Sequence, residues 1–345
     1  MKASSAILET RALAIGYRSS GNERTVASYL NVQLRPGDLV CLLGSNGAGK
    51  STLMRTLSGL QPALGGDISI GSRPIGSLKP VELAQQLSLV LTDRVDAGNL
   101  TAREVVALGR TPYTGWLGSL SENDHREITR SIEQTGIQPL LDRPMHQLSD
   151  GERQKVMLAR ALAQDTPLIL LDEPTAHLDL PNRVEMMRLL HTLARHARKA
   201  ILLSTHELDL ALQTADELWL MHADGTLLTG LPEDLVLNGS FEKTFARNGF
   251  SFDRLTGTFT IHQPAAPANI YIEGPERLVF WAKRALMREG LGISKYRNAP
   301  CRISVVDNDN GFEAEISFEN HSLKVSSVQA LLMQLCVFFP EPDHF

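Results

Sequence analysis

The chain has 345 residues, 43% of them hydrophobic and 21% charged, with a formal net charge of −5. That is the composition of an ordinary water-soluble globular protein with room for one large domain and a small one. It argues against a general nucleic-acid binder, which carries a basic excess; the opening residues lack the apolar core of a secretory signal, and no apolar run approaches the roughly 18 residues that cross a bilayer.

In chain order, "AILETRALAIGY" and "LNVQLRPGDLVCLLG" read as strands broken at "SSGNE" and "RPGD". A helix is expected from Lys50, and "GGDISIGSRPI" returns to strand. "LSLVL", "LILLD" and "AILLST" are short unbroken apolar runs, the pattern of strands buried on both faces of a parallel sheet. Between the first two lies a mainly helical insert at about residues 93–160. Thr101 with Glu104, and Ser121 with Asp124, have capping-box spacing there. "HQPAAPAN" reads as a linker near residue 263, which closes a first domain at 262. Residues 263–345 then form the linker and a small α+β domain of about 80 residues. Its elements are "NIYIE", an amphipathic helix in "GPERLVFWAKRALMREG", strands in "RISVVD", "FEAEISFEN" and "SLKVS", and a final helix in "SVQALLMQLCVFF". Cys41, Cys301 and Cys336 have neither CxxC nor metal spacing and read as reduced thiols.

Gly44, Ser45, Asn46, Gly47, Ala48, Gly49, Lys50, Ser51 and Thr52 fit G-x-x-x-x-G-K-[ST] directly after an apolar strand. Glycines let such a loop turn its N–H groups inward toward phosphate oxygens. Lys50 is expected to reach the β- and γ-phosphates, and the Ser51 hydroxyl to ligate Mg²⁺. Asp172 ends "LILLD", where its carboxylate orients the same metal, and Glu173 beside it polarises the attacking water. His206 follows another buried strand and is placed to contact the γ-phosphate; a lone histidine there is otherwise a structural residue.

Taken in order, Tyr17, "GSNGAGKST", "LSDGE", "LILLDEP", "HLD" and "STH" resemble the ATP-binding cassette (ABC) ATPases over about residues 6–261. The resemblance implies an α/β P-loop fold with a mainly parallel core sheet, an antiparallel β part and a helical subdomain. It implies ATP and Mg²⁺, and two cassettes meeting head to tail. Leu148, Ser149, Asp150, Gly151 and Glu152 would then cover the partner's nucleotide. On physical grounds, Ser149 and Glu152 have capping-box spacing, so a helix should start there and turn its N-terminal dipole toward an anion. Tyr17 would stack on adenine, Glu173 would be the general base, His206 the γ-phosphate sensor, and Asp179 would lie at the dimer interface. Where the family has glutamine after "LSLVL", this chain has Thr92, whose reach is shorter. His177 is given no catalytic role.

"LTAREVVALGRTPY" is similar to the importer ATPases for iron–siderophore complexes, haem and cobalamin. That similarity implies a homodimer peripheral to the cytoplasmic face of a membrane, beneath a permease fed by a substrate-binding protein. The alternatives are an ABC exporter ATPase or a non-transport ABC ATPase.

Overall fold

The computed structural model describes residues 5–19, 22–91, 98–115, 118–176, 178–245, 250–254, 257–261, 268–308, 311–319 and 321–339. The first unit comprises Met1–Ala246 with Arg254–Thr258, and the second Arg247–Asp253 with Phe259–Phe345.

The first unit opens with β1 (Leu8–Ser19), β2 (Asn22–Leu30) and β3 (Gln33–Leu34), then β4 (Leu39–Gly44), α1 (Lys50–Leu57), β5 (Gly65–Ile70), β6 (Arg73–Pro74), α2 (Pro80–Ala84) and β7 (Leu87–Val90). A helical stretch follows: α3 (Ala102–Ala107), α4 (Glu122–Thr135) and α5 (Asp150–Ala163). Then come β8 (Leu168–Asp172), α6 (Leu180–Ala197), β9 (Ala200–Ser204), α7 (Leu208–Thr214), β10 (Glu217–Met221), β11 (Leu227–Gly230), α8 (Pro232–Leu237) and α9 (Ser240–Phe245).

These strands form two sheets. The antiparallel one runs β2-β1-β5-β6 with β3 also on β1, and the core sheet runs β11-β10-β4-β9-β8-β7. Core-sheet neighbours are parallel except β10 and β11. β4, β8 and β9 are buried at every residue, as unbroken apolar runs covered on both faces must be. Leu42, Leu170, Leu202 and Trp219 share one core with Leu53 and Met54 of α1, which fixes the helix behind the phosphate loop.

The helical stretch has a separate core of Val105, Val106, Ile128, Ile132, Val156 and Ala159. Thr101 and Glu104 close the expected capping box at α3, with Thr101 N–H donating to Glu104 Oε2 at 2.8 Å. A Cβ on Gly109 would lie 2.3 Å from the Arg160 carbonyl oxygen, so glycine lets this turn press on α5. Next to it, Arg110 is buried. Its Nε donates to Asp124 Oδ1 at 2.7 Å and its Nη1 to the Ala163 carbonyl at 2.8 Å. The "GR" of the importer-like stretch therefore anchors α3 and α4 to the helix that begins at Asp150.

A two-stranded sheet of β12 (Phe250–Asp253) and β13 (Thr258–Ile261) carries a Phe252–Phe259 ring pair with centroids 5.0 Å apart. Both rings belong to the second unit. The linker residues 262–267 lie outside the described residues. Beyond them are β14 (Ala268–Glu273), α10 (Glu276–Arg288), β15 (Gly292–Ile293), β16 (Cys301–Val306), β17 (Glu313–Phe318), β18 (His321–Val325) and α11 (Val328–Phe338). The sheet order is β15-β14-β16-β17-β18. β16 alternates buried and exposed residues, and its inner face packs with Leu278, Leu286, Leu331 and Leu335 of the two helices.

Candidate nucleotide site

β4 delivers the phosphate loop to the edge of the core sheet. A Cβ on Gly44 would lie 2.3 Å from the Met221 carbonyl oxygen, so β10 leaves space for glycine there. Gly49 has φ +108° and caps α1 with no side-chain hydrogen bond. A Cβ there would meet Val26 Cγ1 at 2.4 Å. No side chain therefore competes for the first-turn N–H groups of α1, which suits an anion-binding helix start. Between the two glycines, Asn46 and Gly47 are exposed and Ala48 is buried, with Ala48 N–H donating to the Ser45 carbonyl at 3.2 Å.

Lys50 is buried, and its Nζ donates to the carbonyls of Gly44 (2.9 Å) and Ser45 (3.3 Å). Burial pushes its ammonium below the usual lysine value, while the Glu173 and Asp172 carboxylates pull it back. Ser51 is exposed, whereas Thr52 is buried and shares a 2.7 Å hydrogen bond with the Tyr17 hydroxyl. Tyr17 itself is half-exposed.

The acids come from β8. Asp172 Oδ1 accepts the Ser204 hydroxyl at 2.5 Å. Glu173 has φ +52°, a left-handed backbone uncommon for a residue with a side chain. Its N–H donates to the Ser204 carbonyl at 3.1 Å and lies 3.0 Å from the Ser204 hydroxyl oxygen. This conformation belongs to a residue at the candidate reaction centre, as strained backbone often does. Glu173 Oε1 is 2.8 Å from His206 Nε2. With the carboxylate ionised, that nitrogen carries the proton and donates.

Ser204 was quoted in "STH" but given no role. The register that pairs Asp172 with Ser204 is what places its hydroxyl against both acids. Two further residues were missed. Arg183 donates from Nη1 to Glu207 Oε1 at 2.7 Å and from Nε to the Leu178 carbonyl at 2.6 Å.

The donor set suits Mg²⁺. Among the described residues no cluster of three or more His, Cys, Asp or Glu side chains forms a protein cage. A hydroxyl and one carboxylate are what a cation needs when phosphates supply the remaining oxygens.

A second group gathers around the start of α5. Leu148 is buried, and Ser149 is the N-cap. Ser149 N–H donates to Glu152 Oε2 at 2.8 Å, and the Ser149 hydroxyl donates to the same oxygen at 2.9 Å. These bonds hold the Glu152 carboxyl below the usual glutamate range, the backbone one contributing most. Arg153 Nη1 donates to Asp150 Oδ1 at 2.9 Å. A Cβ on Gly151 would lie 3.5 Å from the Asn182 side-chain amide. Asn182 Nδ2 in turn donates to Asp179 Oδ1 at 2.6 Å, and Asp179 caps α6. The signature loop and Asp179 are thus neighbours through Asn182, another residue the sequence did not single out. Thr92 and His177 lie outside the described residues.

A phosphate loop between a buried parallel strand and a helix, with two acids at the end of β8, one strand beyond the neighbouring β9, defines a P-loop nucleotide hydrolase. The ABC transporter family model matches residues 27–176, and the iron ABC transporter C-terminal domain model matches residues 267–336. An uncharacterized ABC transporter ATP-binding protein of Methanocaldococcus jannaschii is 35% identical over 267 residues, 77% of this chain and 91% of that protein. The achromobactin transport ATP-binding protein of Dickeya dadantii is 36% identical over 230 residues, 66% of this chain and 84% of that protein. Among solved structures, a metal-chelate type ABC transporter in an inward-facing conformation aligns with a TM-score of 0.61 at 25% identity, covering 70% of this chain and 89% of that chain. The chain belongs to the ABC transporter ATP-binding proteins. No helix among the described residues is long and apolar enough to cross a membrane.

Proposed function

We propose that this chain hydrolyses ATP to drive uptake of a metal chelate of the iron–siderophore, haem or cobalamin type through a separate permease. Two copies form the ATP sandwich on the cytoplasmic face of the membrane, and a substrate-binding protein delivers the cargo. The observation that carries the ATPase reading is the meeting of Lys50, Asp172, Glu173 and His206 beside an uncapped helix start. The import reading is supported by the iron-type C-terminal match and the relatives' names.

The residues divide the work. Gly44–Thr52 wrap the phosphates, and Tyr17 turns from Thr52 to stack on adenine. Glu173 takes the proton of the attacking water, and His206 holds that carboxylate and contacts the γ-phosphate. Ser51 and Asp172 would hold Mg²⁺, which neutralises charge on the β- and γ-phosphate oxygens when bound. Leu148–Glu152 of one copy close over the other's nucleotide, Asp179 lies at the contact, and Thr92 stands at the relay to the permease.

Affinity purification of the tagged chain from detergent-solubilised membranes, followed by mass spectrometry, tests the assignment. A co-purifying polytopic permease of the metal-chelate type supports it. Recovery with ribosomal or DNA-repair partners keeps the ATPase and discards transport, and an export-type permease reverses the direction.

A further inference from the structure

The four residues that end β9 and lead into α7 each reach the stretch from the end of β8 to the first turn of α6. Ser204 bonds Asp172 and Glu173, Thr205 Oγ1 lies 3.3 Å from Thr175 Oγ1, and His206 bonds Glu173. Glu207 is the last rung. It pairs with Arg183, whose Nε also holds the Leu178 carbonyl, so one guanidinium ties the residue before Asp179 to Glu207. Both side chains of this pair are partly shielded, at 34% and 25% exposure. A fork of this kind fixes direction as well as distance, which a lysine ammonium does not.

We infer that Arg183 and Glu207 are positioning residues that couple the Asp179 loop to His206. The inference rests on the reading above, in which Asp179 lies at the contact between two copies. A displacement of the Asp179 loop moves the Leu178 carbonyl, and Arg183 carries that movement to Glu207. The His206 ring is bonded to Glu173, and His206 precedes Glu207 in the chain, so Glu207 acts on it through the backbone between them. Neither Arg183 nor Glu207 touches the phosphate loop through these bonds, so the strap reaches the nucleotide only through His206, one phosphate contact among several, and its main effect falls on the chemical step.

The test uses the full chain. Arg183→Ala is expected to lower kcat by roughly 10- to 100-fold, the scale of a slightly misplaced catalytic group. KM for ATP and the thermal midpoint should stay near the parent values. Arg183→Lys, which keeps the charge and loses the fork, should fall between the two. Glu207→Gln should repeat the kcat loss, and the double variant should be no worse than either single one. An unchanged kcat, additive losses, or a joint fall of kcat, ATP affinity and thermal midpoint overturns the inference, since the last is the mark of local unfolding. ATP-dependent dimers are measured separately by light scattering in a Glu173→Gln background. Dimers that persist with Arg183→Ala alongside the kcat loss support the strap. Absence of dimers in Glu173→Gln alone overturns the two-copy reading and the inference with it.

Discussion

The phosphate loop and the loop at residues 148–152, proposed to meet a partner's nucleotide, both open a helix, yet they are built on opposite plans. The first is capped by Gly49 in a left-handed conformation and offers its N–H groups with no side chain in competition. The second is capped by Ser149 and braced by Glu152 and Arg153. One loop is ready for its ligand, and its lysine rests on two backbone carbonyls until the phosphates arrive. The other satisfies its own polar groups, which keeps it folded while exposed. Such self-sufficiency suits the proposed role of waiting for a second copy.

The sharpest way to break this comparison is Glu173→Gln, which removes the base and leaves both loops intact. Turnover should fall by about 10²- to 10⁴-fold, with ATP binding retained in an equilibrium titration. Arg110→Ala comes next and strikes the scaffold of the signature helix alone. Leaving Asp124 buried without its cation should cost about 3–5 kcal/mol, read by urea unfolding, while the phosphate loop loses no contact. Lys50→Ala strikes the other loop and should weaken ATP binding by about 2–3 kcal/mol, measured by calorimetry. Ser149→Ala should cost about 1 kcal/mol of helix stability and leave ATP binding by its own chain unchanged. Weaker ATP-dependent dimers in the Glu173→Gln background would place Ser149 on the partner's nucleotide.

A separate effect concerns acid. The Ser121 hydroxyl, Ser121 N–H and Arg110 hold Asp124 down to about 2 against the cost of burial. Its folded value lies below the unfolded one near 3.9, so its contribution is complete above about pH 4 and disappears as pH falls toward 2. Unfolding midpoints of the parent and Asp124→Asn should converge over that window, and a constant gap would refute the assignment.

Phosphate chemistry demands fixed local spacing, which is why the strand–loop–helix around Lys50 and the capping boxes at Thr101, Ser121 and Ser149 could be read directly. The buried apolar runs likewise announced the core sheet. What stayed hidden depends on pairings between distant segments. Ser204 gains its role from the β8–β9 register, Gly109 from an α5 backbone about fifty residues away, and the Arg183–Glu207 pair from the first turn of α6 meeting the start of α7.

The position of β4 has a consequence for how the chain is made. It lies between β9 and β10, and Leu39 N–H is tied to the Asp216 carboxylate across 177 positions. On a ribosome, the strand that carries the phosphate loop emerges early and then lacks its neighbours until residue 221 is out. A nascent fragment that ends before β10 therefore has the phosphate loop on a strand still open along one side. The residues matched to the iron-type C-terminal domain, 267–336, follow all of these strands in synthesis.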